Sequence, residues 1–261
     1  MITLPPLRSR IFRFKRLHAV ILLSLFFLRP ASVLAGFSVS PLTIEFDKKV
    51  KSALISIEAQ GPENVNLQMR AVLWTQDADG KDVYTDTSDL IYLPKLMTVK
   101  GNKSRALRVG TTQSTIVDKE KCYRLFIEEI PAPRKDAEGP NVNISFRFAL
   151  PVYIKPVKEI YDLKIEKAEM SGKGVIVLVR NSGNAHQRVF TVDIRGKDSG
   201  GNALMSARLN GWYVLGGSSS KYFAEIPKDR CNELKTIEVE VNTDRGPIKQ
   251  DIAIDAAKCQ P

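Results

Sequence analysis

The sequence predicts an all-β protein built as two immunoglobulin-like β-sandwiches in tandem. Three observations carry this. Short stretches rich in β-branched and aromatic residues recur along the chain, bounded by Gly, Pro, Asn or Asp. No sustained 3.6-residue apolar period marks an amphipathic helix. The stretches fall into two runs of seven or eight per ~100–120 residues, the strand density of such a sandwich.

The first run begins at "FSVSPLTIEF". Phe37 and Val39 share one parity, whereas Leu42, Ile44 and Phe46 take the other. A one-residue shift turns a strand to its opposite face, so Ser40-Pro41 is expected to be a kink where the first strand changes sheets. "ALISIEA", "VNLQMRAVLWTQ", "DLIYLP", "LMTVKG", "SRALRVG" and "CYRLFIEEIP" follow. "DADGKD" reads as an Asp-Gly turn between strands. As a calcium loop it has its glycine at the wrong position and lacks the closing glutamate. The run ends in "NVNISFRFALPVYIKP", residues 141–156, where Val142, Ile144, Phe146, Phe148, Leu150, Val152 and Ile154 alternate with mostly small or polar residues. That is a strand with one apolar face, and it is long against the usual five or six residues or so.

Pro156 stops this strand, and Lys155 and Lys158 mark a solvated linker. The second run reads "YDLKIEKAEM", "GVIVLVRNSG", "QRVFTVDIRG", "LMSARLNGWYVL", "SKYFAEIP", "TIEVEVNT" and "IKQDIAID". The expected domains are therefore 36–156, with the long strand at 141–154, and 157–261.

Residues 1–35 precede them as a signal peptide. Arg8, Arg10, Arg13, Lys15 and Arg16 lead into the apolar "LHAVILLSLFFL", and Val33 and Ala35 suit cleavage after Ala35. The apolar run is shorter than the ~20 residues a spanning helix needs, so stable membrane insertion of the mature chain is not expected. Six of the 39 basic residues and none of the 29 acidic ones lie in this leader. The mature chain keeps 33 basic against 29 acidic residues, a net charge of +4. Nucleic acid is not an expected partner of so mild and patchless a charge.

Cys122, Cys231 and Cys259 remain in a compartment that permits disulfides. Cys231 and Cys259 each lie 14 residues from Arg245, at the tip of an expected hairpin. They are predicted to pair, leaving Cys122 as a buried thiol.

Five stretches, in order, resemble one family: "FSVSPLTIEF", "LQMRAVLWTQDADGKDVYTDTSDLIYLP", "VKGNKSRALRVG", "EKCYRLFIEEIP" and "ISFRFALPVYIKP". They are similar to the periplasmic PapD-like pilus assembly chaperones of the chaperone–usher pathway, and to their archaic branch, which serves spore-coat-U-like pilins. The resemblance implies a non-enzymatic protein without metal or other cofactor. Its expected partners are pilin subunits that lack a final strand and an outer-membrane usher. It further implies that Val142, Ile144, Phe146 and Phe148 fill the open groove of a pilin, while Leu150, Val152 and Ile154 stay in the chaperone's own core. The loop "PAPRKDAEGPN" is expected to order on binding. A basic residue in the cleft would hold the pilin's C-terminal carboxylate, with Arg124 first, Arg147 second and Arg108 third. The first strand carries no basic residue, unlike the family's more familiar members.

Other readings remain beside this one. The long strand is ordinary core in a two-domain adaptor or adhesin. Trp74 and Trp212 read as core anchors. Glu128 and Glu129 are adjacent on a strand and point to opposite faces. His186, the one histidine after residue 35, has no accompanying catalytic or zinc signature.

Overall fold

The computed structural model describes residues 36–131, 144–171, 174–226 and 231–254. The leader, its cleavage site and Val142 lie outside these. So do Cys259 and most of the loop before the long strand. Gly36–Pro261 forms one compact unit, and no helix among the described residues is long and apolar enough to cross a membrane.

The first sandwich contains β1 (Phe37–Ser40), β2 (Ile44–Phe46), β3 (Ser52–Ala59), β4 (Val65–Gln76), β5 (Asp82–Asp86), β6 (Leu90–Leu93), β7 (Leu96–Val99), β8 (Ser104–Thr111), β9 (Lys121–Glu129) and β10 (Arg147–Ile154). One sheet runs β1-β3-β8-β6 and the other β2-β10-β9-β4-β5, with β7 also on β4. The parity shift at Ser40-Pro41 is the sheet switch. β1 pairs antiparallel with β3, and β2 pairs parallel with β10 in the opposite sheet. The inward teeth of both sheets, among them Ile55, Ile57, Leu67, Leu107, Leu125, Leu150, Val152 and Ile154, form one core.

The second sandwich contains β11 (Leu163–Ser171), β12 (Gly174–Asn181), β13 (Gln187–Lys197), β14 (Ala203–Asn210), β15 (Tyr213–Val214), β16 (Ser219–Glu225), β17 (Thr236–Thr243) and β18 (Gly246–Ala253). Its sheets run β11-β12-β16 and β14-β13-β17-β18, around a core of their own. "LMSARLNGWYVL" is two strands rather than one. A Cβ at Gly211 would sit 2.3 Å from the Val189 carbonyl oxygen, so the chain turns there at a close approach that only glycine permits. Cys231 is disulfide-bonded and Cys122 is a buried free thiol; the partner expected for Cys231 lies outside the described residues.

The linker is more tied than a solvated run of lysines suggests. Lys155 bonds Glu159 at 2.5 Å and Glu45 of β2 at 3.3 Å. The Glu159 contact is the main reason its pKa is pushed up to about 12.

The strand expected over 141–154 begins at Arg147. Its neighbour β9 ends at Glu129, so Ile144–Phe146 have no full strand to pair with. The ladder continues only as a Glu129 N–H to Phe146 C=O bond of 2.9 Å. Leu150, Val152 and Ile154 are buried, whereas Ile144 is 73 % exposed. Leu150→Ala should lower the unfolding free energy by about 2–5 kcal/mol, and Ile144→Ala by no more than about 0.5, in denaturant titrations. Equal losses would contradict this division of the strand.

Candidate functional site

β10 has an incomplete partner. On one side it pairs with β9 over its whole length, from Arg147↔Glu128 to Ile154↔Lys121. On the other, β2 pairs only with Val152–Ile154. Among the described residues no strand covers the Arg147–Pro151 stretch of that edge. Unpaired edges recruit further strands.

The apolar teeth grow more exposed toward the free end. Phe148 packs at the rim of the core, its ring 5.1 Å from that of Phe37. Phe146 is 42 % exposed, and its ring lies over Gly36, where a Cβ would come within 3.0 Å. Ile144 stands in solvent. Three teeth of the expected four therefore lie along one edge, and the fourth, Val142, falls outside the described residues.

The three candidate arginines sit in different surroundings. Arg108, on β8, is exposed and belongs to the other sheet, away from the cleft. Arg147 is exposed and already paired with Glu128 at 3.3 Å. Arg124 is 4 % exposed and faces the second sandwich. Its guanidinium lies 3.7 Å from the centre of the Trp74 ring, with Tyr213 at 5.5 Å and Trp212 at 5.7 Å. Nη1 donates to the Ala149 carbonyl at 3.2 Å. Nε and Nη2 are buried and have no partner among the described residues. Stacking on an aromatic face stabilises a cation by up to about 2 kcal/mol when water is excluded. It leaves the in-plane donors free to bond a carboxylate through both oxygens.

The cleft is held by a few bonds between the sandwiches. The Gln76 amide donates to Tyr213 C=O at 2.8 Å and accepts from Leu215 N–H at 2.9 Å. Trp212 Nε1 donates to Asp82 at 2.9 Å. The buried Glu120 takes the His186 backbone N–H and faces Nδ1 of its ring, both at 2.8 Å. That ring stacks on Tyr153 at 4.0 Å. Trp74, Cys122, Tyr153 and Leu215 form a small apolar cluster here. Burial, and then the Glu120 carboxylate, push the Cys122 thiol up.

Two expectations need correcting. Trp74 is buried, but in this interface rather than in a sandwich core. Trp212 is 47 % exposed, because the turn at Gly211 carries it out of the sandwich toward Asp82. Tyr153 and His186 were missed as interface residues. For Tyr153 a signal lies in "LPVYI", an apolar run on both parities, which marks a strand buried on both faces; nothing around His186 marks it.

Comparison with known proteins adds to this geometry. Residues 36–159 match the family model described as the pili and flagellar-assembly chaperone, PapD N-terminal domain. The chaperone protein LpfB of Salmonella typhimurium is 27 % identical over 127 residues, 48 % of this chain and 52 % of LpfB. The alignment thus spans about half of that curated relative. The chaperone–tip subunit complex CsuC–CsuE, from archaic chaperone-usher Csu pili of Acinetobacter baumannii, contains a chain alike in fold. It has a TM-score of 0.57 and 18 % identity over 84 % of this chain and 97 % of that one. The Salmonella enterica SafA pilin–SafB chaperone complex gives 0.52 and 14 %, over 85 % and 99 %.

Removing Glu120 leaves the part-buried His186 backbone N–H without its acceptor and one end of the interface unsupported. Glu120→Ala should lower stability by about 1–3 kcal/mol and widen the distribution of inter-sandwich distances in small-angle scattering. An unchanged melt and scattering curve would show that the Glu120–His186 contact is not what joins the sandwiches.

Proposed function

We propose that this chain, whose residues 36–159 match the pili and flagellar-assembly chaperone model, is a periplasmic chaperone of that family. It caps pilin subunits by donating a strand and delivers them to an outer-membrane usher. The observation that carries the reading is the open edge of β10 over Arg147–Pro151, continuous with the exposed Phe146 and Ile144.

The physics is that of β-augmentation, in which backbone bonds bind an edge and alternate side chains fill pockets. A strand-deficient sandwich offers both a bare edge and an apolar groove. Val142, Ile144, Phe146 and Phe148 enter that groove. Each large side chain fully withdrawn from water stabilises the complex by ~1.5–3 kcal/mol. Phe148 is already partly buried and contributes less. Leu150, Val152 and Ile154 stay in the chaperone, so one strand spans two cores. No cofactor or nucleotide takes part. Exchange follows when the N-terminal extension of another subunit replaces the donated strand.

Arg124 sets the register by holding the subunit's C-terminal carboxylate. Its buried, unpaired Nε and Nη2 support this choice. Arg147 is occupied by Glu128, and Arg108 lies on the wrong sheet. Lysine cannot replace a stacked planar fork. The leader expected to end at Ala35 supports export to the periplasm, an oxidising compartment in keeping with the disulfide-bonded Cys231.

Co-expression with a strand-deficient pilin should yield a soluble one-to-one complex. Phe146→Asp should abolish it while the melting temperature holds. Loss of folding instead would return the strand to ordinary core, as in an adaptor or adhesin. Arg124→Ala and Arg124→Lys should both weaken capture by tenfold or more, about 1.4 kcal/mol or above. Undiminished capture by Arg124→Ala would remove arginine 124 as the anchor.

A further inference from the structure

The unpaired donors of Arg124 are also closed to solvent. A carboxylate therefore has no path to them until something moves. The groups around the guanidinium come from both sandwiches. Trp74 supports one face from β4. Tyr213 and Trp212 approach from the segment after Gly211. Tyr84 of β5 joins this group through Asp82, the same carboxylate that holds Trp212.

A single carboxylate joins these elements. Asp82 Oδ2 accepts from Trp212 Nε1 at 2.9 Å and from Tyr84 Oη at 3.0 Å, and Oδ1 accepts from Gln76 Nε2 at 3.3 Å. Tyr84 and Trp212 are each nearly half exposed. Water can therefore replace their bonds to Asp82 at little cost, because exchanging protein for water partners is nearly balanced. Trp74, 1 % exposed, has no such freedom. β5 is the outermost strand of its sheet. The movable parts thus lie on an edge strand and a turn, and the fixed part lies in the interface.

We infer that Asp82, Trp212 and Tyr84 form a latch over Arg124, which the subunit's carboxylate displaces. The inference rests on the reading of Arg124 as the anchor. In the unladen protein, Asp82 ties down the Trp212 ring beside the guanidinium and, with it, the Tyr84 ring of the neighbouring edge strand. An incoming carboxylate takes over the arginine's in-plane donors and releases the latch. Because a closed latch lowers apparent affinity by the fraction of time it is closed, a lone chain end binds poorly. A subunit that also receives the β10 teeth gains enough to open it. Asp82 and Trp212 would thereby act as specificity residues, selecting a carboxylate presented next to an open groove.

The test measures capture rates for a strand-deficient pilin diluted from denaturant, followed by stopped-flow fluorescence. Trp212→Phe keeps a ring and loses the N–H; Asp82→Ala removes the acceptor. Both should accelerate capture about tenfold. They should also speed modification of Arg124 by phenylglyoxal, read by mass spectrometry without any subunit. In an Arg124→Ala background the gain in capture rate should vanish. Unchanged capture and modification rates in both variants would overturn the latch and leave the anchor standing. A gain that persists without the arginine would equally overturn it. Failure of Arg124→Ala alone to impair capture would instead overturn the anchor, and the phenylglyoxal rates would still report whether the cover exists.

Discussion

A guanidinium buried with one acceptor is the constraint on which this structure turns. A charge removed from water is expensive unless paired, and among the described residues Arg124 bonds to the Ala149 carbonyl alone. Its Nε and Nη2 meet no acceptor among the described residues. The face of Trp74 offsets part of that cost, and the aromatic side chains of the second sandwich keep water away. Under the proposed function, the arrangement is a site that waits for a carboxylate. A protein selected for stability alone would do better with an apolar residue at this position.

The same constraint explains why two sandwiches are needed. β9 is buried on both faces, with Tyr123, Leu125 and Ile127 in the first core and Cys122 and Arg124 toward the second sandwich. Alone, the first sandwich would expose Trp74, Tyr153 and the arginine. The second sandwich closes over them through Gln76, Glu120 and Asp82. It turns an outer sheet face into the wall of a cleft. The free stretch of β10 then starts where the cleft begins, so a chain end held at Arg124 lies beside the edge it would pair with.

Much of the fold was legible because period-2 alternation follows directly from strand geometry. The parity slip at Ser40-Pro41 located a sheet switch, and the even residues Leu150, Val152 and Ile154 proved to be core. Alternation could not say where pairing stops. β10 begins at Arg147 because β9 ends at Glu129, and that is a property of the neighbour, not of "NVNISF". Nor could it separate a wet outer face from one covered by another domain. Tyr153 and Trp74 occupy outward positions and are buried all the same. Trp212 reads as core by composition, and only the close turn at Gly211 carries it outside. Arg124 stood out through the family its neighbours resemble, since a lone strand arginine has no signature of its own.

The central claim is that the free edge of β10 is where a subunit is held. Amide hydrogen exchange tests it most directly, comparing the free protein with its complex with a strand-deficient pilin. The account predicts new protection concentrated at Ile144–Ala149, with Val152–Ile154 already slow in both states because β2 and β9 flank them. Protection that appears on another surface, with Ile144–Ala149 still exchanging as in the free protein, would contradict it.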